Sequence, residues 1–298
     1  MPQSQYIGRF APTPTGPLHF GSLVAAFASY LDAKHHHGLW LLRIEDLDPP
    51  REDKSASTLI PQQLISHGLI WDGDIEFQSH HSDQYEQYLE QLRSQGLLFP
   101  CACSRKDLAA QKGLHQGDCH SSTNSSINST IEKPRAWRLP VPNEDWGFTD
   151  KVFGEFSQNL AQTVGDQVLK RKDALYAYQL AVVVDDYLSG VNHVVRGLDL
   201  LDNTPRQLYL MKCLNIAPPS YLHLPLITND EGQKLSKQNQ AQALDLNTIE
   251  KNLMGALAFL KQVLPPVQFQ QDKRSILNWA IEHWQHENIP ALTNGLTA

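Results

Sequence analysis

Along the first hundred residues, apolar positions switch between an extended and a helical rhythm. Tyr6-Ile7-Gly8-Arg9-Phe10 reads as a short strand ended by Pro12 and Pro14. From Leu18 onward, Leu23, Phe27, Tyr30 and Leu31 recur at helical spacing and predict one apolar helix face. Leu39 to Ile44 is a run fit for a buried strand, stopped by the acidic E-D-L-D and two prolines. Glu52 to Gly68 is helix-like, with Leu59, Gln63, Leu64 and His67 along it, and Gln84 to Gly96 is a second helix closed by glycine. Strand and helix alternating in this order predict a parallel α/β sheet.

Near residue 99 the rhythm breaks. Residues 101–135 are short, polar and irregular, and S-S-T-N-S-S-I-N-S-T has the composition of a loop. Beyond it, L-Y-A-Y-Q-L-A-V-V-V (Leu175 to Val184) leads into Asp185-Asp186, Val191 to Gly197 reads as a strand, and a helix follows through Leu214. From Ala241 the pattern is helical, with Pro265 and Pro266 separating two segments. These breaks divide the chain into residues 1–98 and 175–240, two halves of one sheet domain, with 99–174 inserted and 241–298 as a helical appendage.

Composition narrows the class. Apolar residues make up 41% of the 298, enough for a core. No window approaches the roughly 18 uninterrupted apolar residues of a membrane span. The opening M-P-Q-S-Q-Y-I-G-R-F lacks a charged segment followed by an apolar one, so a cytosolic protein is expected and the sequons at Asn124 and Asn128 are coincidental. A net charge of −7 does not advertise a nucleic-acid binder. Residues 1–100 carry 6 Lys/Arg against 12 Asp/Glu, whereas 101–140 carry 6 against 3, so the positive block surrounds the cysteines.

Cys101, Cys103 and Cys119 lie within 19 positions, in the pattern C-x-C-x11-H-x3-C completed by His115. In a reducing compartment such a cluster argues for a metal, and three thiolates with one imidazole suit a closed, structural zinc site. His120 competes as the fourth ligand, and reduced thiols without metal are the plain alternative. Cys213, alone in Y-L-M-K-C-L, reads as a small core residue. His35-His36-His37 reads as a solvated helix end, and His80-His81 is given no role.

Two stretches carry candidate chemistry. L-H-F-G-S (Leu18 to Ser22) follows a strand and opens a helix, a setting that offers backbone N–H groups and a helix dipole to an anion. There His19 could donate to a phosphate, and Gly21 leaves room for a flat base. Far along the chain, K-L-S-K-Q puts Lys234 and Lys237 three apart on a polar loop beside a glycine. Taken singly, the first also fits a stiff proline-rich turn and the second an ordinary solvated loop.

Taken together, H-F-G-S and K-L-S-K on an α/β scaffold resemble the HIGH and KMSKS signatures of class I aminoacyl-tRNA synthetases. R-F-A-P-T-P-T-G-P-L-H, L-L-R-I-E-D-L-D, G-L-I-W-D-G, Y-Q-L-A-V-V-V-D-D and V-V-R-G-L-D-L-L-D-N-T-P-R-Q are similar to the glutamyl/glutaminyl subgroup, in co-linear order over roughly residues 6–240. The resemblance implies a Rossmann-like catalytic domain in which a carboxylate attacks the ATP α-phosphate. His19, Gly21, Ser22, Lys234 and Lys237 would then meet the ATP, with His19 and the two lysines supplying positive charge, and Mg²⁺ would travel with the phosphates. It further implies that Arg9, Phe10, Ala11, Pro12, Thr13, Glu45, Tyr178 and Arg196 line a glutamate pocket. Arginine suits bidentate pairing with carboxylates, Glu45 would accept the ammonium, and Tyr178 would add a directional hydroxyl. The plain alternatives are surface salt bridges and a core tyrosine. In the family the cysteine knuckle often carries tyrosine where this chain has His115, within the subdomain that meets RNA.

Full-length members continue into an anticodon-binding domain, whereas 61 residues follow Lys237 here. The shortened layout resembles the branch of the subgroup that activates glutamate without tRNA and esterifies it to queuosine, the wobble base of tRNA(Asp). Two other readings stay open: a short synthetase charging a tRNA 3′ end, and a non-catalytic RNA-binding paralogue. A nucleotidyltransferase acting on another small acid is a remote further one. Nothing in the sequence demands a dimer, and a monomer is expected.

Overall fold

The N-terminal strand is Ile7–Phe10 (β1), paired in parallel with Leu39–Ile44 (β2). Phe20–His35 (α1) crosses between them with Leu23, Phe27 and Leu31 fully buried, as the helical spacing requires. Ala56–Ser66 (α2), Glu76–Phe77 (β3) and Ser82–Ser94 (α3) follow, and β3 extends the sheet in parallel beside β2. The computed structural model describes residues 5–110, 113–115, 117, 134–228, 242–292 and 296–297. The buried face of α2 runs through Ile60, Gln63, Leu64 and His67, an i, i+3, i+4, i+7 set, so Leu59 sits at its edge only half-buried.

The stretch expected as an inserted subdomain, 99–174, contributes to two sheets. Phe99–Cys101 (β4), Ala136–Leu139 (β5) and, further on, Gln167–Lys170 (β8) form a small antiparallel sheet in the order β4-β5-β8. Arg105–Ala110 (α4) follows β4. The hairpin of Asp145–Asp150 (β6) and Gly154–Asn159 (β7) leads into Leu160–Thr163 (α5) and pairs instead with a strand of the later α/β half, Ser220–Leu224.

That half is built from Tyr178–Leu188 (α6), His193–Gly197 (β9), Thr204–Leu214 (α7) and Ser220–Leu224 (β10), with β9 and β10 parallel. Asn192 N–H donates to Ile7 O at 3.0 Å, and Ile7 N–H donates to Asn192 Oδ1 at 2.9 Å, which seats β9 beside β1. Two hydrogen-bonded sets, β3-β2-β1 and β9-β10-β6-β7, thus meet at β1 and β9, and the chain's progression reverses direction there. In doubly wound sheets the crevice at the carboxyl ends of such a pair is where ligands bind.

Ile227–Thr228 (β11), Ile249–Phe259 (α8), Lys273–Glu282 (α9) and Leu296–Thr297 (β12) complete the described elements. The helical segment after residue 241 shares the main core: Leu253, Leu257, Ile276 and Trp284 pack in one cluster with Leu23, Phe27, Trp40 and Ile44. Asp32, buried in α1, binds it by accepting from Trp284 Nε1 at 2.9 Å and from the Tyr6 hydroxyl at 2.5 Å. A second core lies under α3, α6 and α7 and includes Leu89, Leu180, Val183 and Leu210, with Cys213 packed against it. No described helix is long and apolar enough to cross a membrane.

Candidate active site

Four neighbouring strands end alike. Their second-to-last residues are Arg9 in β1, Arg43 in β2, Arg196 in β9 and His223 in β10, and all four are at least nine-tenths buried. Side chains carrying positive charge or proton-accepting nitrogen are thus gathered at the carboxyl edge of the sheet. Burying charge is costly unless each group has partners. The partners are specific.

Arg9 Nε meets Asp186 Oδ1 at 3.1 Å, and Arg43 Nη2 reaches the same oxygen at 2.8 Å. The neighbouring Asp185 also lies 3.7 Å from Arg43 Nε, and it accepts from Gln78 Nε2 at 2.7 Å and the Tyr85 hydroxyl at 2.8 Å, with His81 Nδ1 2.8 Å away. His81, given no role from sequence, therefore braces a fully buried carboxylate. Burial works against ionisation of Asp186, yet Arg9 and Arg43 hold its carboxyl below the usual range.

Glu45 follows β2 and is 8% exposed, with Arg43 Nη2 at 3.6 Å as its one ion-pair partner among the described residues. Burial pushes its carboxyl up to about 7; Arg43 and Arg9 oppose this and Asp186 and Asp185 add to it. Tyr178, first residue of α6, has its hydroxyl raised by burial and by Glu45, with Arg196 and Arg9 opposing. Tyr178 thus lies within electrostatic reach of Glu45, Arg196 and Arg9, and Glu45 within reach of Arg9, so these expected residues are brought near one another.

Arg9 to Thr13, expected to line the pocket, leads from β1 into the proline turn. Pro12 O accepts from Glu45 N–H at 3.0 Å, which holds the turn against the end of β2. The Phe10 ring is buried, stacked on Trp40 at 6.4 Å, so its side chain belongs to the core. Ala11 and Pro12 are half-buried and Thr13 is exposed. Gly16 adopts φ 137°, a conformation side chains disfavour. Gln63 Oε1 then accepts from Leu18 N–H at 2.8 Å, and Leu18 O accepts from Leu244 N–H at 3.0 Å.

His19 caps α1: its Nδ1 accepts from Ser22 N–H at 3.2 Å. Nδ1 is thereby the acceptor nitrogen, so the neutral ring carries its proton on Nε2. A Cβ on Gly21 would stand 3.1 Å from the His19 ring, so this glycine makes room for the imidazole as well as for any base. A cleft of about 240 Å³ opens here, lined by His19, Gly21, Ser22, Gly197, Asp199 and Leu224. Lys234 and Lys237 lie outside the described residues.

In the smaller sheet, the donor atoms of Cys101, Cys103 and His115 lie within 4.8 Å of one another. His115 Nε2 is 3.4 Å from Cys101 Sγ and 3.7 Å from Cys103 Sγ, while its Nδ1 is 2.7 Å from Asp166 Oδ2. Two thiols and an imidazole aimed at one point, with a carboxylate behind the ring, fit a zinc-type ion. Cys119 and the competing His120 lie outside the described residues.

Sequence reasoning missed Arg43, Asp186, His223, Asp166 and Asp199. Arg43 could have been found, since an arginine next to the last residue of a buried strand repeats what Arg9 and Arg196 do.

The family described as tRNA synthetases class I (E and Q), catalytic domain, matches residues 7–264. A glutamyl-Q tRNA(Asp) synthetase from Neisseria meningitidis serogroup B is 47% identical over 292 residues, covering 96% of this chain and 97% of that protein. One from Thiobacillus denitrificans is 47% identical over 290 residues, 95% of each chain. Among solved structures, a glutamate tRNA ligase from Elizabethkingia meningosepticum in complex with its amino acid superposes with a TM-score of 0.80 at 23% identity, over 99% of this chain and 67% of that one. That likeness establishes the fold. By family match and by identity across nearly its whole length, the chain belongs to the class I tRNA synthetases (E and Q), within them to the glutamyl-Q tRNA(Asp) synthetases.

Proposed function

We propose that the protein activates L-glutamate with ATP, without tRNA, and transfers it from glutamyl-adenylate to queuosine at the wobble position of tRNA(Asp). The observation that carries the first step is the pairing of two aimed guanidinium groups with one under-satisfied carboxylate. Arg9 and Arg196 are each anchored through Nε, and Glu45 is buried with Arg43 at 3.6 Å as its one ion-pair partner among the described residues. Glu45, buried and only partly compensated by Arg43 and Arg9, is left as the carboxylate partner for an ammonium. An α-amino acid with a second carboxylate matches that arrangement, with the carboxylates on Arg9 and Arg196, the ammonium on Glu45, and Tyr178 adding its hydroxyl.

ATP belongs in the cleft at the N-terminus of α1. His19 offers Nε2–H, the backbone at Gly21 and Ser22 offers the positive helix end, and Asp199 can accept from sugar hydroxyls. Lys234 and Lys237 are assigned to the phosphates, and Mg²⁺ would be held by phosphate oxygens and water. The attack joins two anions, so these cations contribute by meeting charge as it builds.

Cys101, Cys103, His115 and Cys119 are proposed to hold one structural Zn²⁺, with Asp166 orienting His115. The zinc organises the insertion at 99–174, assigned to the RNA; residues 1–98 and 175–240 are assigned to catalysis, and 241–298 to a supporting helical segment. The acceptor follows the relatives' name. The protein is proposed to act as a cytoplasmic monomer.

ATP–pyrophosphate exchange tests activation. Exchange that depends on glutamate and proceeds without tRNA is expected; its absence in ATP-saturated protein contradicts the reading.

A further inference from the structure

His223 and Arg196 are direct cross-strand partners in β10 and β9, so their side chains share one face. Arg196 Nε donates to His223 Nε2 at 3.1 Å. His223 Nδ1 lies 2.7 Å from Asp150 Oδ2, which also accepts the His223 backbone N–H at 3.0 Å. The other Asp150 oxygen accepts from Val152 N–H at 2.9 Å and Phe153 N–H at 3.0 Å, so this carboxylate is fixed on both sides. Arg196 Nη2 donates to Thr204 Oγ1 at 2.7 Å and to Leu200 O at 3.3 Å, and its guanidinium lies over the Tyr221 ring at 5.2 Å. No protein acceptor contacts its Nη1 among the described residues.

An arginine does not give up its proton, so Nε2 of His223 must be the acceptor and Nδ1 must carry the hydrogen toward Asp150. Only the neutral ring in that tautomer satisfies both contacts. Burial also lowers the basicity of His223, with Asp150 opposing.

Two arginines face the pocket, and their rear contacts differ. Arg9 is backed by the carboxylate of Asp186, which spends part of its positive charge. Arg196 is backed by a neutral imidazole, with the anion one ring further away.

We propose that His223, as a neutral Nδ1-protonated imidazole, is a positioning residue for the amino-acid substrate: it fixes the Arg196 guanidinium from behind through Nε, leaving Nη1 and an undiminished charge for a substrate carboxylate. This rests on the assignment of Arg196 to glutamate.

His223→Gln and His223→Met test it. The two side chains have similar length, and both lose the donor to Asp150, but only glutamine returns an acceptor where Nε2 stood. In glutamate-dependent ATP–pyrophosphate exchange, H223M is expected to raise the glutamate KM about tenfold to a hundredfold, the effect of one lost hydrogen bond to a charged group. Its ATP KM stays within about twofold, and H223Q recovers most of the loss. Equal glutamate KM values in H223M, H223Q and the wild type, or equal rises for ATP and glutamate, overturn the proposal. Should H223M not fold, Thr204→Val against Thr204→Ser asks the same question at Nη2: T204V should raise the glutamate KM and T204S should not, and identical values contradict the clamp. Wild-type protein run alongside separates the two levels. Normal wild-type exchange with unaffected variants removes only the role of His223, whereas no wild-type exchange removes the functional reading and this role with it.

Discussion

Glu45 is the residue whose protonation most directly couples pH to the proposed chemistry. Its carboxyl titrates near 7 in the free protein because burial outweighs the help of Arg43 and Arg9. An ammonium ligand needs the ionised form, so glutamate binding is expected to weaken as pH falls through about 7, by about tenfold per unit below it. The ATP KM should not follow, and Glu45→Gln should remove the dependence while raising the glutamate KM. The linkage to stability has a definite sign. A raised carboxyl pKa means that ionised Glu45 opposes folding, fully above its folded value and not at all below its unfolded one. E45Q is therefore expected to stabilise the free protein at pH 8, by on the order of 3 kcal/mol, and to lose that gain toward pH 4. Thermal melts across this range check it; a gain that grows toward acid pH contradicts the assignment. Arg9, Glu45, Tyr178 and Arg196 could be named from sequence because each sits inside a quotable motif. Arg43 and Asp186 lie in such motifs too, but their pairing with each other, like that of His223 with Arg196, shows only once the buried partner, distant in sequence, is known.

Among the elements, the strands and helices flanking residues 99–174 were legible because their apolar spacing matches what the sheet and cores require. Leu39–Ile44 is observed with the limits its apolar run gives. The positions at which α1 buries Leu23, Phe27 and Leu31 follow in the same way. The turn joining β1 to α1 was legible only as stiff. Its placement depends on Glu45, Gln63 and Leu244, contacts that no local pattern encodes. Likewise, the candidate metal ligands Cys101, Cys103 and His115 could be read from their spacing, but Asp166 behind His115 lies 51 residues away. Asp166→Asn is expected to lower zinc affinity about tenfold to a hundredfold by loosening the ring that Asp166 holds. Competition with a chromophoric chelator measures this. Glutamate-dependent exchange should persist, as befits a structural ion; unchanged affinity in D166N contradicts the orienting role.

At the level of the whole molecule, the expected helical appendage is part of the main core, because Leu253, Leu257, Ile276 and Trp284 share its cluster and Trp284 Nε1 donates to Asp32 of α1. An apolar helical pattern states that a face must be covered but not by what, so this docking was invisible in sequence. The same holds for β6 and β7, which leave the inserted stretch to join β10. With a net charge of −7, the molecule does not owe its proposed RNA specificity to general electrostatic attraction, and the account places specificity in the chemistry of the acceptor. The most direct measurement is therefore transfer of radiolabelled glutamate to tRNA(Asp) prepared with and without queuosine, followed by mapping of the labelled nucleotide. The account predicts label only on the queuosine-containing tRNA, at the wobble base. Equal labelling of both preparations, or label at the 3′ adenosine, would contradict it.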